Sequence, residues 1–506
     1  MNISEFLLIS SAIVPDRNAL IFEREEITFS SLQQQVNNLA SNLSQKGITT
    51  EDRIAVMDVN CPQLAQIFFA SNQLDAVYVP INFRARAEEL SQMLKACEPK
   101  ILFIGRRYMP LLKDTELTSD MVVVATDSSD FTELLAGDGE QSNFPEHDSH
   151  DTSVIMFTAG TTGTPKGVLL SHDSFVSYML SNVTPADPDD AEKNVLTVPL
   201  YHIAGLQALV AGIYGGRTVV LMKQFDPVEW MDLVAEYSID RAMLVPTMIK
   251  QLMDSPQFPE SNLKSLKVIT YGAAPMPVNI ITKALDQFPN AQFINAFGQT
   301  ETASTITMLT PEDHILEGTP EVKAAKIKRL TSIGKPLEDV EVMIVNESGS
   351  PVQIGDIGEI VARGDRMMKG YWQQEEATAS TIVDGWIYTG DLAYQDEEGY
   401  IFLAGRSKDF IKRGGEMISP EEVEQLLVTH PNIEEAAIVG KADEEWGEIV
   451  HAIIVAQPGC VISQQDVIDY CKETLSSFKR PELVTFTSEL PRNSLGKILK
   501  TELRQL

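Results

Sequence analysis

The stretch TAGTTGTPKGV, residues 158–168, places three glycines, four threonines and one lysine between two apolar runs. Glycine permits positive φ and close backbone approach, threonine supplies hydroxyl groups, and lysine supplies a mobile positive charge, so the loop is suited to bind a polyphosphate. It is not the P-loop G-x-x-x-x-G-K-[ST], because counting from Gly160 puts Pro165 at the second glycine and Gly167 after Lys166. The alternative, a flexible hairpin linker, does not require this combination of residue types.

Length and composition indicate a soluble globular protein with more than one domain. The 506 residues exceed the size at which a single hydrophobic core stops growing, and 43% hydrophobic with 22% charged residues is ordinary for a globular chain. The net charge of -32 disfavours general attraction to nucleic acid or an anionic membrane. We therefore expect small-molecule partners, no nucleic acid, and phosphate binding at a focused local site.

Cysteine usage and the chain ends predict a cytoplasmic location. The four cysteines are widely spaced and form no C-x-x-C pair, which is typical of a reducing compartment. MNISEFLLISSAIVPDR, residues 1–17, has no basic n-region and contains Glu5, so it predicts an amphipathic helix instead of a signal peptide. No apolar run approaches the roughly 18–20 residues that span a bilayer, and LRQL is not a peroxisomal signal. We expect no integral membrane association. The sequence does not distinguish a monomer from a homodimer.

Hydrophobic periodicity divides the chain into three regions. From residue 1 to about 220, helical stretches such as residues 30–47 alternate with short apolar runs, which predicts crossover units on parallel sheets with ligands at the strand ends. Short β runs with turn signals between about 330 and 404 predict a barrel-like subdomain. The last hundred or so residues return to mixed helices and strands, so a domain boundary is expected at 405–409.

Four further motifs accompany the opening loop: FGQTE (297–301), YTGDL (388–392), GRSKDFIKRGGEMISPEEVE (405–424) and PRNSLGKILK (491–500). In this order and spacing, the five motifs resemble the adenylate-forming superfamily of acyl-CoA synthetases, amino-acid adenylation domains and firefly-type luciferases. The resemblance covers the whole chain.

The resemblance implies an α/β fold with two domains. The large N-terminal domain, residues 1–404, would contain two packed sheets with helices plus the small β-barrel subdomain at 330–404. A hinge at 405–409 would connect it to a small mobile α+β C-terminal domain at 410–506.

The implied chemistry is acid activation by ATP. A carboxylate attacks the α-phosphorus and pyrophosphate leaves; the thiol of coenzyme A then attacks the acyl-adenylate and AMP leaves. Glu301 would bind Mg²⁺, with Thr158 as a possible second ligand, because Mg²⁺ prefers few protein oxygens together with phosphates and water. Thr300 would contact the α-phosphate. The residues implied to hold the β- and γ-phosphates are Thr158, Thr161, Thr162, Gly163 and Lys166.

The nucleoside would bind along the FGQTE and YTGDL motifs. Phe297 stands where the family usually has tyrosine, so adenine stacking is kept but one hydroxyl is lost. Asp391 can accept both ribose hydroxyls, reinforced by Arg406. The alternative for Asp391 is a solvated loop residue, and for the turn at 272–274 small residues chosen for packing. The implied AMP contacts are Gly272, Ala273, Ala274, Asn295, Ala296, Phe297, Gly298, Asp391 and Arg406.

The C-terminal motifs imply a domain that serves both half-reactions. Lys497 would bridge the carboxylate substrate and the α-phosphate when the domain closes; the alternative is a surface lysine. Lys408 occupies the family's hinge position, which is compatible with a plain linker. Glu482 stands where such a ligase can have lysine, and partial burial is the alternative for Trp446. The implied CoA-binding residues are Lys412, Gly414, Gly415, Trp446, Phe478 and Arg480.

His202 in PLYHIAGLQ corresponds to the family's gate between the acyl pocket and the thiol tunnel; a buried core histidine is the alternative. Amino-acid adenylation domains carry aspartate directly after this position, whereas this chain has Ile203. The expected substrate is therefore an uncharged aliphatic or aryl carboxylate. The pocket wall would consist of His202, Gly272, Ala296, Gly298 and Ala303.

Three other functions share much of this pattern. A luciferase-like monooxygenase would share every adenylation residue. An acyl-AMP ligase that loads a carrier protein is also possible, although no carrier domain is appended and residues 305–330 contain no obvious long insertion. A catalytically silent binding protein is disfavoured because all five charged site residues are present: Lys166, Glu301, Asp391, Arg406 and Lys497.

Overall fold

The computed structural model describes residues 1–117, 120–137, 139, 148–158, 165–413, 416–443, 446–492 and 498–506. Across these residues the protein is a mixed α/β structure with four β-sheets. The first strands in chain order are β1 Asn18–Phe22, β2 Glu25–Thr28, β3 Arg53–Met57, β4 Val77–Pro80, β5 Ile101–Ile104, β6 Val122–Ala125, β7 Thr152–Thr158, β8 Lys166–Ser171, β9 Lys193–Leu196, β10 Thr218–Leu221, β11 Arg241–Leu244, β12 Val268–Gly272 and β13 Gln292–Gln299. The remaining strands are β14 Ser304–Leu309, β15 Lys335–Pro336, β16 Glu341–Val345, β17 Gly358–Arg363, β18 Gly370–Tyr371, β19 Ile382–Val383, β20 Trp386–Gln395, β21 Ile401–Arg406, β22 Ile411–Arg413, β23 Glu416–Ile418, β24 Ile433–Asp443, β25 Gly447–Ala456 and β26 Leu483–Phe486.

Helices connect most of these strands. The α-helices are α1 Glu5–Ile13, α2 Phe29–Gln45, α3 Pro62–Gln73, α4 Ala87–Cys97, α5 Ser129–Leu135, α6 Asp173–Asn182, α7 Ile203–Tyr214, α8 Pro227–Tyr237, α9 Pro246–Asp254, α10 Val278–Gln287, α11 Pro320–Arg329, α12 Glu375–Thr381, α13 Pro420–Leu427, α14 Gln464–Lys472 and α15 Lys500–Leu503. Short 3₁₀ turns occur at Arg106–Asp114, Phe258–Glu260, Thr300–Thr302, Pro311–His314, Ser407–Asp409 and Ser477–Lys479. No described helix is both long enough and apolar enough to cross a membrane.

The two large sheets confirm the predicted crossover units. The nine-stranded sheet has the order β15-β14-β13-β12-β11-β9-β10-β1-β2, and the seven-stranded sheet has the order β18-β8-β7-β4-β3-β5-β6. The central strands of both sheets run parallel; antiparallel strands lie at both edges of the nine-stranded sheet and at the β18 edge of the seven-stranded sheet. The carboxyl ends of the parallel strands in each sheet therefore lie along one edge, where ligands bind in such folds.

The first two helices lie where the sequence predicts them. In α2, the Thr28 side chain accepts a hydrogen bond from the Ser31 N–H and so begins the helix. Its buried face carries Leu32, Val36 and Leu39 at helical spacing. The helix is therefore fixed by a capping residue at its start and by burial of one apolar stripe.

The first strands join the nine-stranded sheet by long-range pairing. β1 lies parallel to β10, with Leu20 opposite Val219. The 195 intervening residues, 23–217, include six of the seven strands of the seven-stranded sheet. Periodicity predicts these strands but carries no information on which strand lies beside which.

The segment predicted as a barrel-like subdomain forms a five-stranded antiparallel sheet with the order β16-β17-β20-β19, and β21 pairs with β20. The same segment also supplies β15 to the nine-stranded sheet and β18 to the seven-stranded sheet. Residues 330–404 therefore contact both large sheets.

The fourth sheet contains the last strands, in the order β23-β22-β25-β24 with β26 beside β25. It has its own apolar core, in which Ile411, Val423, Ile438 and Ile454 are fully buried. Segment 405–409 precedes this sheet. The domain bounds 1–404 and 410–506 stay predictions.

A buried ion pair connects the five-stranded sheet to α6. The Arg366 guanidinium is fully buried and lies 2.8 Å from the buried carboxylate of Asp339. It also lies 5.2 Å from the ring centroid of Tyr178, and the Asn182 amide donates to Asp339 at 3.3 Å. A charge buried in this way depends on its partner, because removal of one member leaves the other without compensation.

We predict that Arg366→Leu lowers the free energy of unfolding by about 3–5 kcal/mol, because the carboxyl group of Asp339 would remain buried without its cationic partner. The double variant with Asp339→Leu should regain most of that loss. Arg363→Leu is the matched control, because its ion pair with Glu341 is exposed and should change stability little. Urea unfolding measures all four proteins, and an Arg366→Leu variant as stable as the control would contradict the prediction.

Candidate active site

The candidate site lies where strands of both large sheets end. β7 ends at Thr158, β12 ends at Gly272 and β13 ends at Gln299. The first belongs to the seven-stranded sheet and the other two belong to the nine-stranded sheet. The predicted nucleotide residues therefore follow the carboxyl ends of strands, as expected for parallel sheets.

Asn60 holds three strand ends together and was missed by the sequence reasoning. Its buried side-chain amide donates to the carbonyl groups of Val198 and Met222, both at 3.2 Å, and accepts from the Leu200 N–H at 2.9 Å. Asn60 follows β3, whereas its partners follow β9 and β10. One amide thus fixes the loop that leads into His202. The only sequence signal was a lone asparagine after an apolar strand.

His202 caps the start of α7. Its carbonyl oxygen accepts from the Gly205 and Leu206 N–H groups, and its ring lies 4.2 Å from that of Tyr201. Burial lowers the pKa of His202 to about 3, with a smaller contribution from the positive charge of Arg84. The imidazole is therefore neutral near neutral pH. Its predicted role as an acyl gate stays a prediction.

The predicted polyphosphate loop lies between two paired strands. β7 and β8 pair antiparallel, with Thr158 opposite Lys166, and the Thr158 hydroxyl donates to the Lys166 carbonyl at 3.4 Å. The predicted phosphate-binding residues Thr161, Thr162 and Gly163 lie outside the described residues. The hairpin pairing nevertheless brings Thr158 and Lys166 to the same sheet edge.

Tyr371, which the sequence reasoning also missed, contacts two predicted site residues. Its hydroxyl donates to Glu301 Oε1 at 3.0 Å, and Lys166 Nζ lies 4.6 Å from its ring centroid. Burial and the negative charge of Glu301 raise the pKa of Tyr371, whereas Arg406 opposes this rise. The hydroxyl is therefore a protonated donor, and Arg406 lies within electrostatic range of the same ring.

Two glycines allow close backbone packing beside this cluster. A Cβ at Gly272 would overlap the carbonyl oxygen of Ala296, and a Cβ at Gly298 would overlap the carbonyl oxygen of Ser304. Any larger residue would push β12, β13 and β14 apart. Close packing therefore explains why Gly272 and Gly298 are small. For Gly272 this agrees with the alternative interpretation of the turn at 272–274, in which small residues serve packing.

The turn residues after these strands have unusual backbone angles. Ala273 and Ala303 have φ of 66° and 48°, in the left-handed region that residues with a Cβ rarely adopt. Ala273 is exposed and Ala274 is half-buried, so the turn has accessible surface. Backbone strain of this kind is often concentrated at functional sites.

The residues around FGQTE have mixed environments. Asn295 is buried, and its Oδ1 atom accepts no hydrogen bond from the described residues. Phe297 is half-buried and packs against an apolar cluster that contains Ile306. Thr300 begins the short turn that leads to Glu301, and its carbonyl accepts from the Ala303 N–H. The predicted AMP contact of Asn295 stays a prediction.

Asp391 and Arg406 form the predicted pair on adjacent strands. Arg406 Nε lies 2.6 Å from Asp391 Oδ1, and Arg406 also donates to the carbonyl of Thr389 at 3.2 Å. The side chain of Gln299 donates to the same carbonyl at 3.4 Å. This shared acceptor places YTGDL beside the end of FGQTE, although the two motifs are far apart in sequence.

The segment around Lys408 contacts the C-terminal helix. Arg504 Nη2 lies 2.7 Å from Asp409 Oδ1 and donates to the carbonyl of Lys408 at 3.5 Å. Burial lowers the pKa of Lys408, although Asp409 opposes this shift. Lys497 lies outside the described residues, so its predicted contact with the site stays a prediction.

The predicted CoA residues fall into separate groups. Trp446 is 41% exposed, and the Arg413 guanidinium lies 4.5 Å from its ring centroid and 2.6 Å from Glu482. The neighbouring Lys412 donates its backbone N–H to Glu448 at 2.7 Å. Arg413 was missed by the sequence reasoning, although it lies between predicted residues.

In the described part of the chain, Phe478 and Arg480 form no hydrogen bond, ion pair or ring contact with this group. Arg480 donates to the carbonyl of Leu475 at 2.9 Å, and Phe478 packs against the core of the fourth sheet. Gly414 and Gly415 lie outside the described residues. A common CoA site therefore stays a prediction.

The candidate metal residues fit a cation that is mostly bound by phosphate and water. In the part of the chain that the structure describes, no three His, Cys, Asp or Glu side chains cluster as a metal site. Glu301 offers one carboxylate, and its Oε2 atom accepts no hydrogen bond from a described residue. Mg²⁺ is commonly held by one or two carboxylates together with substrate phosphates. Glu301 and Thr158 therefore suit Mg²⁺.

Comparison with known proteins gives the family. Residues 10–372 match the model of the AMP-binding enzyme family, and residues 422–497 match the model of the AMP-binding enzyme C-terminal domain. The chain is 30% identical to an indoleacetate–CoA ligase of Aromatoleum aromaticum over 100% of this chain and 98% of that protein. It is 31% identical to a fatty acid–acyl-carrier-protein ligase of Streptomyces coeruleorubidus over 97% of this chain and 93% of that protein.

Among solved structures, the chain is similar to o-succinylbenzoate CoA synthetase of Bacillus subtilis in complex with its acyl-adenylate intermediate. The TM-score is 0.84 at 28% identity, with 99% of this chain and 97% of that chain covered. Neighbours of this kind have a large N-terminal and a small C-terminal domain. With a family model that matches well over half of the chain, this protein belongs to the AMP-binding enzyme family, as its five motifs had implied.

Proposed function

We propose that this enzyme activates a carboxylic acid with ATP and transfers the acyl group to the thiol of coenzyme A. The acid would form an acyl-adenylate with release of pyrophosphate, and thiol attack would then release AMP. The observation that carries the proposal is that Lys166 and Glu301 both contact Tyr371. Tyr371 lies in residues 368–372, which form the joint between the two large sheets. A lysine and a carboxylate that can bind Mg²⁺ are groups that would stabilise the charge of a polyphosphate.

In the first step, positive charge would stabilise the phosphate oxygens. Lys166 would leave the Tyr371 ring to bind the β- and γ-phosphates, and Thr161, Thr162 and Gly163 would add loop donors. Glu301, with Thr158, would hold Mg²⁺, which when bound neutralises phosphate charge. Lys497 would bridge the attacking carboxylate and the α-phosphate.

The nucleoside would bind between the turn at 272–274 and the pair Asp391 and Arg406. Adenine would lie against Phe297, and the buried Oδ1 atom of Asn295 could accept from the adenine amino group. Asp391 would accept from the ribose hydroxyls while Arg406 keeps its carboxylate in place.

The acyl group would be uncharged and either aliphatic or aryl. His202 is neutral because its pKa is lowered to about 3, and the predicted wall contains only small residues besides it. Support comes from relatives that act on indoleacetate and fatty acids. The CoA thiol would approach past Gly414 and Gly415, and Lys412, Trp446, Phe478 and Arg480 would bind the rest of the cofactor.

We also propose a cytoplasmic setting. Cys61, Cys97 and Cys471 are buried and unpaired with another cysteine in the described chain. Burial raises the pKa of Cys97 to about 12 and that of Cys471 to about 11, so these thiols are protonated and unreactive.

A second candidate function is acyl transfer to a carrier protein. It is favoured by the similarity to the fatty acid–acyl-carrier-protein ligase over nearly the whole chain. The adenylation step would be identical, and only the thiol acceptor would differ.

A panel of carboxylic acids tests both proposals. Purified protein is incubated with ATP, Mg²⁺ and each acid, and AMP release is measured without a thiol, with CoA and with a phosphopantetheinylated carrier protein. We expect AMP release that depends on an apolar acid and is stimulated by CoA. Stimulation by the carrier alone would favour the second function, and no acid-dependent AMP release would contradict both.

We predict that Lys166→Ala and Glu301→Gln each slow acid-dependent ATP–pyrophosphate exchange by about a hundredfold, because the first removes a positive charge that would stabilise the phosphates and the second removes the proposed Mg²⁺ ligand. Glu301→Gln should also raise the Mg²⁺ requirement. The matched control pair is Lys335→Ala and Asp313→Asn, which alters a similar cluster around Tyr400 away from the site. Exchange rates within threefold of wild type for both site variants would contradict the assignment.

We predict that Lys408→Pro still forms acyl-adenylate and pyrophosphate but transfers the acyl group to CoA at least tenfold more slowly, an order-of-magnitude expectation from loss of a hinge rotation. Proline fixes φ near -65° and restricts Ser407, whereas Lys408→Ala removes the side chain and leaves both torsions free. Single-turnover pyrophosphate release is compared with thioester formation from purified acyl-adenylate. Normal transfer by the proline variant would show that Lys408 is not the hinge.

A further inference from the structure

We propose that Tyr371 is a positioning residue that holds Glu301 and separates it from Lys166 before the nucleotide binds. The inference rests on the proposed nucleotide site. Tyr371 lies outside all five motifs. Its hydroxyl contacts Glu301 and its ring face contacts Lys166.

Tyr371 is itself rigidly placed. β18 pairs with β8, and the N–H groups of Lys369 and Trp372 donate to the carbonyls of Leu169 and Gly167 at 2.9 and 2.7 Å. The Tyr371 N–H donates to the hydroxyl of Thr378 at 2.9 Å. A side chain on such a backbone can serve as a fixed reference for more mobile ones.

Glu301 is held from the same segment through both its main chain and its side chain. The Met368 N–H donates to the Glu301 carbonyl at 3.0 Å, and the Tyr371 hydroxyl donates to Oε1 at the same distance. Oε2 is left without a hydrogen-bond donor from the described residues. A carboxylate held by one oxygen presents the other in a constant direction, which is how hydrogen bonds to a metal ligand support metal binding.

Lys166 lies over the ring face of Tyr371, at 4.6 Å from the centroid. In the described residues, Lys166 and Glu301 form no ion pair, although Lys166 contacts the ring of Tyr371 and Glu301 contacts its hydroxyl. A cation–π contact is weaker than a charge-assisted hydrogen bond from lysine to phosphate. Lys166 can therefore leave the ring when a polyphosphate binds. Tyr371 therefore keeps the two opposite charges apart, and each remains available to the ligand.

Two substitutions separate the two contacts. Tyr371→Phe keeps the ring face for Lys166 but removes the hydrogen bond to Glu301. Tyr371→Leu removes both contacts. Tyr400→Phe is the matched control, because the Tyr400 hydroxyl donates to Asp313 and a lysine ammonium lies 4.4 Å from its ring centroid, away from the site.

The test is calorimetric binding of α,β-methylene-ATP over a series of Mg²⁺ concentrations, which needs no acid substrate and no turnover. For Tyr371→Phe we expect the Mg²⁺ concentration for half-maximal binding to rise about tenfold, with affinity at saturating Mg²⁺ within about twofold of wild type. For Tyr371→Leu we expect weaker binding at saturating Mg²⁺ as well. Tyr400→Phe should match wild type in both respects.

A double-mutant cycle tests whether Tyr371 acts through Glu301. In the Glu301→Gln background, Tyr371→Phe should cause no further change in the Mg²⁺ requirement. A further change of the same size in that background would overturn the proposal, as would a Tyr371→Phe midpoint within twofold of wild type. If the wild-type protein binds no analogue at any Mg²⁺ concentration, that result would contradict both the proposed function and the role of Tyr371.

Discussion

The backbone of residues 368–372 joins the two large sheets at the candidate site. It pairs with β8 of the seven-stranded sheet, and through Met368 it donates to the carbonyl of Glu301, which follows the last parallel strand of the nine-stranded sheet. This joint decides where the charges of the site lie. Lys166 reaches it from one sheet and Glu301 from the other, and both contact Tyr371.

The remaining parts of the site are arranged around this joint by polar side chains that bridge strand ends. Asn60 connects the loops after β3, β9 and β10 and so places His202, and the carbonyl of Thr389 accepts from both Gln299 and Arg406. Each bridge satisfies buried polar groups that would otherwise be costly. The same hydrogen bonds that stabilise the fold therefore position the candidate chemistry.

Sequence patterns predicted the α1 and α2 helices and the alternating units, because these depend on local periodicity. They did not predict that β1 lies beside β10, since strand order is set by long-range packing. Tyr371 and Asn60 were missed for a related reason. Neither residue type signals a function alone, and their roles arise from partners that only the fold brings close.

Hydrogen–deuterium exchange with and without α,β-methylene-ATP and Mg²⁺ tests the central claim, that nucleotide binds at the joint between the two large sheets. The account predicts that one ligand slows exchange together in three segments that are separated in sequence: the β7–β8 hairpin, the turn from Gln299 to Ala303, and residues 368–372. Protection confined to other segments, or protection of the hairpin without the other two, would contradict the claim.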